Sequence, residues 1–225
     1  RARRQRQMCI RDRSWINLSM SKFIVVEGSE GVGKSTQIKT IKSFLEEHKI
    51  EYIVTREPGG TSFGESIRSI ILDQKNDTDN LTDSLLFYAS RYENYNKIIL
   101  PALKNGKTVI CDRFHYSTLV YQGIVGDDEL VKKIHNIFDS IFSKSIDHII
   151  YLYTDPEESL KRISRRSITD KFESRGLEYL NKLNKAYESI FSNMEKVIKL
   201  NTSRDKDTTK KDLLEKLKTI FAAHD

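Results

Sequence analysis

Gly28-Ser29-Glu30-Gly31-Val32-Gly33-Lys34-Ser35-Thr36 satisfies in full the G-x-x-x-x-G-K-[ST] pattern of a phosphate-binding loop. An apolar run, Phe23-Ile24-Val25-Val26, leads directly into it, and apolar residues at helical spacing (Ile38, Ile41, Phe44, Leu45) follow it. Strand, glycine loop and helix are the arrangement this chemistry needs, whereas a chance match in a glycine-containing turn would lack the flanks. The glycines let successive backbone N–H groups curl around phosphate oxygens, Lys34 neutralises β- and γ-phosphates, and the Ser35 hydroxyl is suited to Mg²⁺. The whole stretch Gly28–Thr36 is therefore the candidate nucleotide-binding segment, and the chain is expected to bind a nucleoside triphosphate.

Outward from this loop, short apolar strands alternate with helical patterns. Tyr52-Ile53-Val54-Thr55, Thr108-Val109-Ile110-Cys111, His148-Ile149-Ile150-Tyr151-Leu152 and Val197–Leu200 read as the further strands, and Leu81–Leu103 as a long helix broken near Asn94. Five strands in such alternation predict an α/β fold, a parallel sheet with helices on both faces. In such sheets ligands gather beyond the carboxyl ends of the strands. Here the first three strands run into Glu27-Gly28, Arg56-Glu57-Pro58-Gly59-Gly60 and Asp112-Arg113. Three polar loops on one edge predict an active site there.

Composition bounds the rest. The 225 residues suffice for one α/β core, and no apolar run approaches the ~20 residues that cross a bilayer. The expectation is a soluble cytoplasmic protein, with no membrane partner. The net charge of +6 is misleading, because residues 1–20 hold six arginines against Asp12 alone, while the other 205 carry 32 basic and 31 acidic side chains. A basic groove for a nucleic acid would be spread through the fold, so none is expected. Residues 1–19 read as a disordered or artefactual extension ahead of a true start at Met20, leaving 20–225 as a single domain; an Arg-rich mitochondrial presequence is the competing reading. Cys9 and Cys111 have no metal-ligand spacing, and Cys111 reads as core.

A phosphate loop alone does not separate a switch GTPase, a motor and a small-molecule kinase. Asn181-Lys182-Leu183-Asn184 is a poor guanine-reading motif, and a protein kinase's glycine loop and His-Arg-Asp loop do not occur. Arginines in separate loops (Arg56, Arg91, Arg113 and the run Arg162, Arg165, Arg166) suit a transferase holding two anionic substrates together. Taken singly, Phe87 reads as core and Arg165-Arg166 as a solvated helix face.

The order and spacing of Phe23–Thr36, of Thr55-Arg56-Glu57-Pro58-Gly59-Gly60-Thr61, and of Asp112-Arg113-Phe114-His115-Tyr116-Ser117 through Tyr121-Gln122-Gly123 resemble the thymidylate kinase family, from about Ser21 to the C-terminus. The bacterial form is the nearer one, since Glu30-Gly31-Val32-Gly33 lacks an arginine and a basic stretch beginning at Lys161 is similar to that form's lid, at about 161–173. The resemblance implies a nucleoside monophosphate kinase fold and transfer of phosphate from Mg-ATP to dTMP. It implies that Lys34 holds the ATP phosphates, that Ser35 and, through water, Asp112 serve the Mg²⁺, and that Arg113 bridges the two nucleotides. Arg56 would bind the dTMP phosphate beside a cis Glu57–Pro58 bond. Glu30 would face the sugar, Phe87 and Arg91 the base, and Thr118, Tyr121 and Gln122 would line the acceptor. Arg162, Arg165 and Arg166 would be lid catalysts, Arg166 foremost. Ser164, Ser167 and Lys171 depart from the usual lid pattern. His115 reads as structural or as one step behind the reacting groups. The family is usually homodimeric. The alternatives are another nucleotide kinase of this fold or, in a different class, a nucleotide-dependent switch protein.

Overall fold

Each strand around the phosphate loop is apolar on both faces, and that sets the layering. In a computed structural model of the chain, which describes residues 21–73, 75–165 and 175–222, five strands form one sheet in the order β2-β3-β1-β4-β5. They are β1 (Phe23–Glu27), β2 (Tyr52–Arg56), β3 (Thr108–Asp112), β4 (His148–Tyr153) and β5 (Val197–Asn201), and every adjacent pair is parallel. Successive side chains of a strand point to opposite faces. Phe23 and Val25 accordingly enter one core with Val109, Cys111, Ile149 and Tyr151, while Ile24 and Val26 enter the other with Ile110, Ile150 and Leu152. The expected fold class is the observed one.

The second core is closed by α1 (Lys34–Glu47) and α9 (Lys206–Phe221), through Ile41, Phe44, Leu45, Leu213, Leu217 and Phe221. The first is closed by α2 (Ser62–Leu72), α3 (Asn80–Asn94), α6 (Glu129–Phe142) and α8 (Gly176–Phe191), which contribute Ile67, Tyr88, Phe142, Tyr187 and Phe191. Side-chain caps fix several helix starts: Thr61 accepts from the Gly64 amide, Asp79 from Thr82 and Asp205 from Thr208. Cys111 is buried in the core as expected.

The predicted break in the long helix is a widened π turn over Tyr95–Ile99, directly after Asn94, followed by α4 (Leu100–Lys104). Pro101 lacks the N–H that would bond back to Lys97, so the regular ladder cannot continue through it. A second π turn, Leu119–Ile124, follows the short α5 (His115–Thr118), and α7 (Pro156–Ser164) follows β4. Among the described residues no helix is long and apolar enough to cross a membrane. The extension 1–19 and the lid residues Arg166, Ser167 and Lys171 lie outside the described residues.

Candidate active site

Parallel pairing beyond the strand ends draws the three polar loops together. The Glu57 amide donates to the Asp112 carbonyl at 3.0 Å, and the Arg113 amide to the Val26 carbonyl at 2.9 Å. Gly28–Thr36 thus lies at the carboxyl end of the central strand, with Asp112-Arg113 and Arg56-Glu57 beside it, as the sequence predicts. The Glu57–Pro58 bond is cis.

The phosphate loop needs its glycines for two reasons. A Cβ on Gly28 would stand 2.3 Å from the Leu152 carbonyl oxygen, and Gly33 enters α1 at φ 89°. Lys34 Nζ donates to the carbonyls of Gly28 and Ser29 at 3.0 and 2.8 Å. Burial, then the nearby Arg113, lowers Lys34 to about 8, which still leaves it charged at neutral pH. Lys34, Ser35, Thr36, Arg56, Asp112 and Arg113 line a polar cleft. The Asp112 Oδ1 atom is buried there with no hydrogen-bond partner among the described residues.

A second cavity adjoins the first, and Glu30, Glu57, Arg68 and Arg113 line both. Pro58, Leu72, Phe87, Arg91, Ser117, Thr118, Tyr121 and Gln122 complete its walls. Seven of the eight residues assigned to the acceptor from sequence (Glu30, Phe87, Arg91, Arg113, Thr118, Tyr121, Gln122) are therefore brought together here. Arg56 stands in the first cleft instead, exposed and bonded to Glu65 at 2.9 Å.

Arg113 sits at the junction of the cavities. Its Nη2 donates to Glu30 Oε1 at 2.8 Å and to Tyr121 Oη at 3.1 Å, and Tyr121 Oη donates to Glu30 at 2.6 Å. Its backbone lies at φ 67°, a left-handed conformation costly for a residue with a Cβ. The kink turns the guanidinium away from the sheet and into the junction.

Arg91 is equally constrained. It is 2% exposed and paired through Nε with Glu57, 1% exposed, while Nη1 donates to Thr118 Oγ1 at 3.0 Å. Burial raises the Glu57 carboxyl to about 7 despite the pull of Arg91. Asn94 Nδ2 donates to the other Glu57 oxygen at 3.3 Å. Phe87 lies one turn before Arg91, on the same face of α3 and on the wall of the cavity.

The basic stretch divides. Arg162 donates to Glu158, to the Thr202 carbonyl at 2.8 Å and to the Gly31 carbonyl at 3.4 Å, so it braces the back of the phosphate loop. Arg165 lines a cavity beside that loop together with Gly33, Thr36, Thr202, Arg204 and Arg162 itself. Arg166 is not among the described residues.

Several site residues escape a reading of the sequence. Glu57 lies inside a motif that was read for its arginine and its proline. Tyr187 and Asn184 have no local signature: Asn184 Oδ1 accepts from the Ser29 hydroxyl at 2.9 Å, across 155 residues. Only periodicity on α8, which places residues 184 and 187 on one face, marks them.

His115 stands apart from this chemistry. It is buried, with Nε2 against Asp139 at 2.8 Å, and its ring lies face to face with His135 at 5.2 Å. These three residues cluster as cation ligands do, but a cation in the plane of one ring would lie off the plane of the other. The cluster is therefore a buried polar brace. Burial lowers His115 from its usual 6.5 to about 4 and His135 to about 3. The unfolded chain then binds protons that the native form refuses, so this stability is complete above pH 6.5 and lost as pH falls toward 4. Thermal unfolding midpoints are expected to drop across that window, and His115→Asn should flatten the drop; an unchanged slope would place the acid sensitivity elsewhere.

Comparison with known proteins agrees with this geometry. The family model described as thymidylate kinase matches residues 26–213. The thymidylate kinase of Francisella tularensis subsp. holarctica (strain FTNF002-00 / FTA) is 37% identical over 187 residues, covering 82% of this chain and 89% of the relative. That of Psychrobacter sp. (strain PRwf-1) is 36% identical over 175 residues, covering 76% and 84%. The match takes in the phosphate loop from Val26, both arginine-bearing strand ends and α8, so the elements that build the two cavities are the ones shared, and the chain belongs to the thymidylate kinase family.

Proposed function

We propose that the chain transfers the γ-phosphoryl group of Mg-ATP to dTMP, giving dTDP and ADP. The observation that carries this reading is the place of Arg113 on the wall shared by two adjoining cavities, one polar and built on the phosphate loop, the other lined by Phe87, Arg91 and Tyr121. A donor triphosphate along Gly28–Thr36 and an acceptor monophosphate from the second cavity meet at its guanidinium. Lys34 neutralises the donor phosphates. Arg56, Arg68 and Arg113 are cations on the shared cleft that can serve the acceptor phosphate, and Arg113 faces the charge that spreads over the migrating group.

The donor set fits Mg²⁺, a hard cation that prefers oxygen ligands and keeps water. Ser35 and Asp112 line the same cleft, and the buried Asp112 Oδ1 has no other partner among the described residues. When bound, the ion supplies charge neutralisation on the β- and γ-phosphates. Residues 20–225 are read as one catalytic domain whose lid, about 161–173, excludes water on closing. Arg165 and Arg166 are its candidate charges, and Arg162 serves the loop from behind.

On the acceptor side, Phe87 offers a ring face to a pyrimidine and Arg91 offers hydrogen-bond donors, matching a ring carbonyl and opposing an exocyclic amine. Tyr121, tied to Glu30, narrows the space beside the sugar. Exposed apolar side chains on α3 (Leu85, Tyr92) and α6 (Leu130, Ile137, Ile141) support a homodimer in which these packed helices meet a second copy.

A coupled-enzyme screen of acceptors tests the reading. dTMP is expected to exceed dCMP and AMP in kcat/KM by at least about 100-fold, because a buried donor facing a donor is left unpaired, and thymidine is expected to be inert. Comparable turnover of AMP or dCMP would assign another nucleotide kinase. Tight ATP binding without turnover of any acceptor would mean a switch protein.

A further inference from the structure

Arg113 is held on two sides, and the second side involves no residue of the phosphate loop. Its Nη1 donates to Ser117 Oγ at 3.1 Å and to Tyr187 Oη at 3.3 Å. Both hydroxyls in turn reach Glu27 Oε2, at 2.7 and 3.1 Å. The other carboxylate oxygen of Glu27 accepts from the Phe114 amide at 2.8 Å, the peptide that follows Arg113. Glu27 is fully buried at the end of β1, and Tyr187 comes from α8.

The two hydroxyls also lie 3.0 Å apart, so Ser117, Tyr187, Glu27 and Arg113 form one network in which Arg113 can only donate. A hydroxyl has one proton, so a Ser117 or Tyr187 that donates to the carboxylate must turn its lone pairs toward the guanidinium. The carboxylate thus makes both hydroxyls acceptors for Arg113, which can only donate. Glu30 pins Nη2 alone, and a fork held at one nitrogen can swing about its stem. A second anchor at Nη1 removes that freedom. Through Phe114, the same carboxylate also fixes the backbone beside the left-handed residue.

We propose that Glu27, acting through Tyr187 and Ser117, is the positioning residue that holds the Arg113 guanidinium at the junction of the two cavities, and so sets turnover while leaving the binding of ATP nearly unchanged. This rests on the reading of Arg113 as the group that stabilises the migrating phosphoryl. Displacing such a group by about 1 Å can cost on the order of 100-fold in rate.

Steady-state kinetics of Tyr187→Phe, Glu27→Gln, Arg113→Ala and the double variant Tyr187→Phe/Arg113→Ala test it. The expected result is a kcat lowered about 10-fold by Tyr187→Phe and about 100-fold by Glu27→Gln, with KM for ATP within about threefold of native. Tyr187→Phe should have no further effect once Arg113 is gone. A merely structural role would instead lower the unfolding temperature and the active fraction, and would act equally in the Arg113→Ala background. If Glu27→Gln does not fold, Tyr187→Phe, which deletes a single oxygen, decides. An unchanged kcat in Tyr187→Phe, or a change confined to KM, would overturn the relay while an inactive Arg113→Ala left the reading of Arg113 standing. Near-native turnover in Arg113→Ala would overturn that underlying reading.

Discussion

Arg113→Ala is expected to lower kcat by about 10³-fold or more while leaving KM for ATP within a few-fold of native. The size follows from where the guanidinium stands. It faces both cavities, and an arginine placed on the migrating phosphoryl group contributes about 10³–10⁵ in rate in phosphoryl transfer. ATP affinity is largely spared because the loop amides and Lys34 hold the triphosphate independently. Arg113→Lys should fall between the two, since it keeps a charge but loses the planar fork that bonds Glu30, Tyr121, Ser117 and Tyr187 at once. The check is a coupled assay at saturating dTMP with the fold verified by circular dichroism. Turnover within about tenfold of native would remove Arg113 from the transition state.

The second large effect is expected at Arg91, and it separates stability from recognition. Arg91→Ala leaves Glu57 buried without its counter-charge, a loss of about 3–5 kcal/mol when a buried pair is broken from one side. Its pH dependence has a definite sign. Glu57 already lies near 7 through burial, above its unfolded value near 4.5, so the native form binds a proton there that the unfolded chain does not. Its contribution is complete below pH 4.5 and lost as pH rises through 7. Without Arg91 the native value climbs higher, and the loss continues above pH 7. Urea unfolding should therefore show a larger deficit for Arg91→Ala at pH 9 than at pH 6. Adding Glu57→Gln should recover most of the stability but not the raised KM for dTMP. Recovery of both would mean that Arg91 serves the fold and not the base.

Much of the molecule is legible in its sequence because the signals are local. Phe23–Val26 into Gly28–Thr36 is a strand, loop and helix within 14 residues, and each strand ending in Arg56 or Arg113 carries its chemistry on its own tip. Alternation of strands with helices dictates a parallel sheet, since such connections leave few other arrangements. The break after Asn94 is likewise a local matter, set by Pro101. Phe87 and Arg91 needed the family resemblance, because an aromatic at helical spacing is ordinary core; the structure then places both on the acceptor cavity wall.

The remainder was hidden because it depends on partners far apart in the chain. Tyr187 lies 74 residues from the arginine it touches, and Glu27 is 160 from Tyr187. Tyr187 reads as an unremarkable core residue, and Glu27, legible as a polar strand end, gives no sign of the partner it meets. Arg162 reads as a lid cation beside Arg165, yet its donors are taken up by the carbonyls of Gly31 and Thr202. Which arginine of a run bears on the phosphates is decided by where helix α7 stops relative to the loop, and no spacing rule states that.

The sequence by itself determined the sheet, the phosphate loop and the three polar strand ends, because hydrophobic alternation and glycine geometry act over a few residues. Only the tertiary structure decided how those ends are armed: that Arg113 is clamped between Glu30 and a Glu27-backed pair of hydroxyls, and that Arg91 is buried on Glu57. Buried charges must be neutralised by whatever the fold brings within about 3 Å, and that neighbour is chosen by packing, not by order along the chain.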